Sequence, residues 1–190
     1  REKWGFPTDR QVALFFGQIR DEKNLDGLLR ALTRTECPPH LVVAGSGNSR
    51  HHGVDHYQQL ADTLGLTDRV TFIPRFIDDD EVAELFVASD WVALPYKNTF
   101  TSQSGVLNVA AKYERPVLVS SAPVLRETVR TCDIGVACSG DGPESLAEGI
   151  EAMHDRLETG HTHAFAAYRE QFSWEENVSR TLTVYEKLLS

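Results

Sequence analysis

The chain has 190 residues, a formal net charge of −9 and 41% hydrophobic residues, which is typical of one soluble globular domain. The negative charge argues against nucleic acid or an anionic membrane as the main partner, because phosphates are repelled at long range. No apolar run approaches the roughly 20 residues of a membrane span, and the three cysteines form no Cys-x-x-Cys motif, so we expect reduced thiols and a cytoplasmic protein.

Six short apolar runs alternate with amphipathic stretches along the chain. The runs are almost continuously apolar, as in strands that are covered on both faces. The predicted strands are residues 12–16, 41–44, 70–73, 91–94, 117–119 and 134–137, and the predicted helices are residues 24–32, 57–64, 81–88, 106–113, 124–129 and 146–157. The alternation predicts an α/β fold, a doubly wound Rossmann-like parallel sheet of six strands with helices on both faces.

The C-terminal segment predicts one further helix. Ser173 and Glu176 have the spacing of a capping box. Apolar side chains then recur along one stripe, at Trp174, Val178, Leu182, Tyr185 and Leu189. No linker or repeat divides the chain, so residues 1–190 are predicted to form a single domain. The opening residues carry no signal-peptide pattern, and we expect them to lie in the middle of a longer protein.

Candidate site residues lie in the loops that follow the strands, because open parallel sheets bind ligands beyond the carboxyl ends of their strands. After the first strand, Arg20 and Lys23 stand three residues apart at the mouth of a helix. Two cations near the positive end of a helix are unfavourable unless an anion lies close to them. Two interpretations remain open: a bound phosphate supplies that anion, or the neighbouring Asp21 and Glu22 do.

The next two loops predict neither a dinucleotide nor a metal. Gly45-Ser46-Gly47 lacks the third glycine of the dinucleotide fingerprint, so no nicotinamide or flavin cofactor is expected, and it indicates a tight turn or close approach to a ligand. The acidic run 78–81 is predicted to cap a helix N-terminus. His52 and His56 have ligand spacing, but no cysteine or carboxylate completes a site.

The loop after the fourth strand is long, polar and rich in hydroxyl groups. It ends at a glycine that opens a helix, where the backbone N–H groups of Gly105, Val106 and Leu107 are expected to point outward unpaired and to form an anion site. Alternatively, Ser102 or Ser104 is simply the helix N-cap. A loop of this length in a compact domain is more often functional than not.

Taken in order, these segments resemble the C-terminal, donor-binding half of a family 4 (group 1) glycosyltransferase of the GT-B fold. The resemblance covers nearly the whole chain, and no single motif carries it. It rests on the ordered set FFGQIRDEKNLDGLLRAL, LVVAGSG, RVTFIPRFIDDDEVAELFVASDWVALPY, TSQSGVLNVAAKYERPVLVS and FSWEENVSRTLTVYEKLL.

The resemblance implies a role for particular residues. Arg20 and Lys23 are implied to be catalytic, because they would bind the nucleotide diphosphate and stabilise its charge as it leaves. The segment 74–76 is implied to hold the nucleobase largely through its main chain, and the backbone of 105–107 to hold the diphosphate. The implied donor-binding residues are Gly47, Arg75, Ser102, Gln103, Ser104, Gly105, Val106 and Leu107.

The sequence departs seriously from the family pattern at the signature glutamates, and it also has Glu114 where a glycine usually stands two residues before the proline. The family signature is a Glu, seven residues and a second Glu. These positions fall here on Ser102 and on Ala110, or on Val109 when counted back from the proline that follows. The polar side chains of residues 102–104 are the candidates to replace the missing carboxylates.

The implied function is binding of a nucleoside-diphosphate sugar, from which the full enzyme transfers a hexose to an acceptor with retention of configuration and without a metal or other cofactor. The acceptor site, and any peripheral membrane contact, would belong to an N-terminal domain outside this chain, so the isolated domain is expected to be inactive. Two alternatives remain open: a non-catalytic nucleotide-sugar-binding or interaction module that lost the donor glutamates, and a GT-B-like sugar-nucleotide epimerase.

Overall fold

A computed structural model describes residues 1–47 and 52–189, in which six strands alternate with helices. The strands are β1 (Val12–Phe16), β2 (His40–Ala44), β3 (Val70–Ile73), β4 (Trp91–Leu94), β5 (Val117–Val119) and β6 (Gly135–Ala137). The helices are α1 (Leu25–Leu32), α2 (Val54–Thr63), α3 (Asp79–Ala88), α4 (Gly105–Lys112), α5 (Pro123–Cys132), α6 (Pro143–Glu158), α7 (Phe165–Gln171) and α8 (Trp174–Leu189). Each predicted strand and helix is present, and its ends lie within three residues of the prediction.

The six strands form one parallel sheet in the order β3-β2-β1-β4-β5-β6. The chain proceeds outward from β1 to β3, returns to the middle at β4, and then proceeds outward in the other direction. The order therefore reverses between β1 and β4, which is the switch point where such sheets bind ligands. The predicted doubly wound, Rossmann-like fold is confirmed.

Helices cover both faces of the sheet, which explains why the strand sequences are almost continuously apolar. Within β1, Val12 and Leu14 belong to one core, whereas Ala13 and Phe15 belong to the other. Helices α3, α4, α5 and α7 cover the first face, and α1, α2 and α6 cover the second. When side chains alternate between two covered faces, few positions remain for a polar residue.

The acidic run before α3 caps that helix, as predicted. Asp78 and Glu81 form a capping box, in which each side chain accepts the backbone N–H of the other residue. The Glu81 carboxylate also receives both terminal nitrogens of Arg75, at 2.6 and 2.7 Å. The run is therefore structural, and it fixes the segment between β3 and α3.

The C-terminal segment holds two helices, of which only α8 is predicted from the sequence. The short helix α7 buries Phe165 and Tyr168 against the domain. No residue of α8 is buried, and its apolar stripe is exposed, with Trp174 at 82%. Ser173 accepts the N–H of Glu176 at 3.1 Å, but the reciprocal bond of a capping box is absent, because the Ser173 N–H donates to Glu170. Within the described part of the chain, no helix combines the length and apolarity needed to cross a bilayer.

Candidate functional site

The loops after β1 and β2 approach each other closely at the switch point. The N–H of Gly17 donates to Ala44 at 2.9 Å, and Ile19 and Gly47 form a parallel bridge. Gly45 has a φ of 148°, and a Cβ atom at this position would clash with the carbonyl of Gly17. The sequence of this glycine-rich turn indicates a tight turn or a close approach to a ligand. At Gly45 the close approach is to the backbone of the protein itself, so this glycine does not indicate a ligand.

Lys23 is a buried cation at the centre of this region. Lys23 is the last residue of the short 3-10 turn Asp21–Lys23 and is 5% exposed. The ammonium donates to the carbonyl of Phe16 at 3.1 Å and forms no ion pair with any residue that the structure describes. Burial, reinforced by the charge of Arg20, lowers the pKa of Lys23 to about 8.

Arg20 begins the same turn and is only partly neutralised. Its guanidinium pairs with Glu22 at 3.1 Å, while its Nε is buried without a hydrogen-bond partner. The local ion pair is the interpretation in which a neighbouring carboxylate supplies the anion, and in the described part of the chain it holds for Arg20 only. Glu22 satisfies Arg20 locally, but Lys23 has no carboxylate partner among the described residues. The buried Nε–H of Arg20 is a donor without a partner within residues 1–47 and 52–189, which is costly. An anion at this point would accept its hydrogen bond.

Tyr96, directly after β4, connects Lys23 to the start of α4. Its ring centroid lies 5.7 Å from the Lys23 ammonium, which is within cation–π range. Its hydroxyl shares a hydrogen bond of 3.2 Å with Ser104, the N-cap residue of α4. Burial raises the pKa of Tyr96, so that the hydroxyl keeps its proton. Tyr96 therefore positions both the cation and the helix terminus.

The N-terminus of α4 offers two backbone donors, not three. The N–H of Leu107 donates to the carbonyl of Ser104 at 3.1 Å, so the prediction of an unpaired group there is wrong. The Leu107 side chain instead lies in the core. The N–H groups of Gly105 and Val106 donate to no residue of 1–47 or 52–189. The first turn of a helix tightens in this way when an i−3 carbonyl satisfies one of its free N–H groups.

Gly17 separates the Lys23 ammonium from α4. A Cβ atom on Gly17 would lie 3.2 Å from the Lys23 Nζ and 3.8 Å from a methyl group of Val106. Because Gly17 has no side chain, the Lys23 ammonium and the first turn of α4 lie close to each other. Both features favour a negative charge, and their effects add in a region of low dielectric.

A cleft of about 530 Å³ opens beside this point. Gly17 and Gly45 form one wall, and Val109 of α4 and the largely exposed Phe76 line the apolar remainder. The cleft thus places backbone groups next to apolar side chains, which is the common character of small-molecule sites.

The other predicted site residues are exposed, whereas Lys23 is buried. Gly47 is exposed at the bridge to Ile19. The side chain of the exposed Arg75 is held by Glu81, which leaves the main chain of Arg75 for a ligand. Ser102 and Gln103 are exposed in the loop before α4, and Gln103 lines a separate cavity of about 450 Å³ beside Trp174. The structure therefore brings together Lys23, Ser104, Gly105 and Val106, with Arg20 beside them, and leaves the rest at the periphery.

His52 and His56 form a stacked pair next to the 3-10 turn, where the N–H of His52 donates to the Asp21 carboxylate at 3.1 Å. The rings of His52 and His56 lie 4.2 Å apart, centroid to centroid. No group of three or more His, Cys, Asp or Glu side chains with metal-binding geometry occurs in residues 1–47 and 52–189.

Sequence reasoning did not identify Tyr96 and Asn24 as parts of the site. Tyr96 is an aromatic residue in an otherwise polar loop, which is a weak signal. Asn24 stands immediately before a helix, where asparagine indicates a left-handed backbone. Neither position alone reveals that it contacts a loop that is distant in the sequence.

Comparison with known families gives a match over most of the chain. The sequence model described as "Glycosyl transferases group 1" matches residues 1–172, which include all six strands. The D-inositol 3-phosphate glycosyltransferase of Mycolicibacterium smegmatis is 30% identical over 191 residues, covering 100% of this chain and 43% of the relative. The chain therefore spans less than half the length of this relative.

Solved structures share the fold. HepE from Anabaena, in a crystal structure with UDP-glucose, has a TM-score of 0.78 at 20% identity and matches 97% of this chain and 51% of its own. The C-terminal domain of a group 1 family glycosyl transferase from Francisella tularensis has a TM-score of 0.74 at 16% identity, over 90% of this chain and 89% of that domain. The chain therefore corresponds in extent to a separately crystallised C-terminal domain.

Proposed function

We propose, from the premise that this chain belongs to the group 1 glycosyl transferases, that it is the nucleotide-sugar-binding domain of a hexosyltransferase. One observation carries the proposal: the buried Lys23 ammonium lies next to the first turn of α4, because Gly17 between them has no side chain. This arrangement favours an anion with oxygens on two sides, such as a diphosphate. The complex of HepE with UDP-glucose supports a donor of the same class.

The chemistry follows from where charge develops. When the bond between the sugar and the diphosphate breaks, the leaving diphosphate gains negative charge. Lys23 and Arg20 stabilise that charge from one side, and the N–H groups of Gly105 and Val106 stabilise it from the other. Donors that are already in place require little reorganisation during the reaction, and burial strengthens their effect. In this proposal these groups carry the stabilisation without a metal or other cofactor, and the sugar is transferred with retention of configuration.

The remaining donor contacts come from the loops around the cleft. The main chain of Arg75 and the neighbouring exposed Phe76 face the nucleobase, since the Arg75 side chain is occupied by Glu81. Gly47 contacts the donor through its backbone. The polar side chains of residues 102–104 contact the sugar, and Leu107 contributes through packing of α4.

The acceptor site lies in a second domain in this proposal. The relative from M. smegmatis is more than twice as long as the matched region, which leaves room for such a domain. The same domain would account for any peripheral contact with a membrane. The isolated chain is then expected to bind nucleotide sugars weakly and to transfer nothing.

The test removes each cation separately. We expect Arg20→Ala and Lys23→Ala each to weaken binding of UDP, GDP or ADP by a factor of about 10 to 150, because a charge-assisted hydrogen bond contributes roughly 1.5–3 kcal/mol. Isothermal titration calorimetry measures the change. Lys112→Ala, at an exposed position at the end of α4, is the matched control and should leave the affinity unchanged. Unchanged affinity in both test variants would refute the assigned roles.

A second candidate is a non-catalytic nucleotide-sugar-binding module. It is favoured by the apolar residues at the positions of the second family glutamate: Ala110 is fully buried, and Val109 lines the cleft. The two candidates differ in one assay. If the full-length protein binds a nucleotide sugar through Lys23 but transfers no sugar to any acceptor, the binding module is correct.

A further inference from the structure

Asn24 has an unusual backbone and a buried side chain. It follows Lys23 directly, ends the 3-10 turn and precedes α1, with φ 59° and ψ 42°. Asparagine tolerates this left-handed conformation better than other residues with a side chain. The backbone therefore explains why glycine or asparagine occurs here, but not why a polar side chain is 6% exposed.

The carboxamide of Asn24 joins the ends of three strands. Its Nδ2 donates to the carbonyl of Pro95 at 2.9 Å and to the carbonyl of Asp141 at 2.8 Å. Pro95 follows β4 and Asp141 follows β6, while Asn24 itself belongs to the loop after β1. Both protons of the amide are used, so the position of the side chain is fully determined.

The bond to Pro95 controls the surroundings of Lys23. Pro95 precedes Tyr96, whose ring lies 5.7 Å from the Lys23 ammonium. On the other side of Lys23, the carbonyl of Glu22 accepts the N–H of Lys97 at 2.9 Å. These two bonds hold the turn against the loop after β4.

From this arrangement we infer that Asn24 is a positioning residue, which keeps the Lys23 ammonium against Tyr96 and aimed at the anion. The inference rests on the function proposed above for Lys23.

Gly27 makes this arrangement possible. A Cβ atom on Gly27 would lie 2.5 Å from Oδ1 and 2.8 Å from Nδ2 of Asn24. Gly27 lies in the first turn of α1, where alanine is otherwise the better helix former. Gly27→Ala therefore displaces the Asn24 carboxamide without changing Asn24, and it does so with a substitution that favours the helix.

Two variants and a control test the inference. Asn24→Gly keeps the left-handed backbone and removes the carboxamide, and Gly27→Ala displaces it. Asn98→Gly is the matched control, because Asn98 is exposed and contacts Asp141 only through its backbone N–H. The first measurement is an NMR pH titration of the lysine side chains in the ligand-free chain, with the Lys23 signal assigned by its loss in Lys23→Arg. The second is the affinity for UDP.

In the wild type, Lys23 should titrate at about 8. In Asn24→Gly and in Gly27→Ala, we expect its pKa to rise towards the ordinary value for lysine, because the ammonium becomes more exposed to solvent. We also expect binding of UDP about tenfold weaker, and no change of either quantity in Asn98→Gly.

A Lys23 titration at the wild-type value in the two folded variants would overturn the inference. A shifted titration with wild-type UDP affinity would overturn it as well, since the position of the ammonium would then be irrelevant to the anion. If the wild type binds none of UDP, GDP and ADP, the proposed function fails, while the titration still decides whether Asn24 positions Lys23.

Discussion

Lys23 is charged at a place where charge is costly. Its ammonium is removed from solvent, donates to one carbonyl oxygen and lies within cation–π range of two aromatic rings. It has no carboxylate partner among the described residues. Such an environment disfavours the protonated form. Groups with strongly shifted pKa values next to a cleft are candidates for function, because a structural role alone rarely requires the cost.

The pKa of Lys23 predicts how binding depends on pH. In the free chain Lys23 is protonated below about 8 and neutral above it. A diphosphate binds the protonated form, so its affinity should be constant near pH 7 and should fall as the pH rises above 8, by no more than about tenfold per unit. Calorimetry with UDP between pH 7 and 9.5 measures this. Lys23→Arg keeps its charge throughout and is the control. A constant wild-type affinity up to pH 9.5 would show that Lys23 does not contact the anion.

Residues that act through local patterns could be predicted from the sequence, and residues that act across the sheet could not. Arg20 and Lys23 stand three positions apart in a loop after a strand, which is visible in the sequence. The bonds of Asn24 to Pro95 and Asp141 span 71 and 117 residues, and no spacing rule reports them. The bond from Leu107 to Ser104 depends on how the first turn of α4 tightens, which is decided by packing.

At the scale of elements, the strands were predictable because both faces of the sheet are covered. Continuous apolarity then identifies each strand without any need for alternation. Helix α7 was missed, because it has seven residues and offers only two buried side chains to a periodic pattern. Its position is set by contact with α4, where Tyr168 donates to Asn108 at 2.6 Å.

The packing of α6 against the sheet depends on Gly149. A Cβ atom there would clash with the buried Sγ of Cys138 and approach Leu118 to 3.3 Å. We expect Gly149→Ala to lower the free energy of unfolding by about 1–3 kcal/mol, the usual cost of overpacking. Urea denaturation measures the loss. Gly140→Ala, whose Cβ would meet only ordinary contacts from 3.5 Å, is the matched control.

A double mutant identifies the cause of this loss. In Cys138→Ala the sulfur is absent, so adding Gly149→Ala to it should cost clearly less than in the wild type. Additive effects of the two substitutions would mean that the sulfur is not what limits the approach of α6.

The exposed helix α8 should contribute little to the stability of this domain. None of its described residues is buried, so deletion of residues 173–190 should change the free energy of unfolding by less than about 1 kcal/mol. Deletion from residue 165 onward is the contrasting variant. It removes the buried Phe165 and Tyr168 and should cost about 3 kcal/mol or more.

A loss of several kcal/mol on deletion of residues 173–190 would contradict this account of α8. If the prediction holds, the apolar stripe of α8 serves a contact outside this domain, since exposed apolar surface of this extent marks an interface. The second domain of the proposed enzyme is the partner that we expect there.

At the scale of the whole molecule, the net charge of the chain is negative, whereas the charge of the two candidate site cations is positive. The chain carries a net charge of −9, which on average repels a phosphate. The reversal of strand order between β1 and β4 brings two cations and a helix N-terminus to one point, and in the proposed function their local charge attracts the diphosphate despite the net charge. The average charge follows from composition, and the proposed anion site follows from the residues of the loops after β1 and β4. That Lys23 and the first turn of α4 lie on two sides of Gly17 could be seen only from the fold.

The central claim is that this point binds the diphosphate of a nucleotide sugar. Titration of the 15N-labelled chain with UDP-, GDP- and ADP-sugars, followed through backbone amide shifts, tests it most directly. With at least one donor, we expect saturable shifts concentrated at Arg20, Lys23, Gly105 and Val106, and none at the distant end of the sheet. The absence of shifts at these residues with every donor would contradict the account.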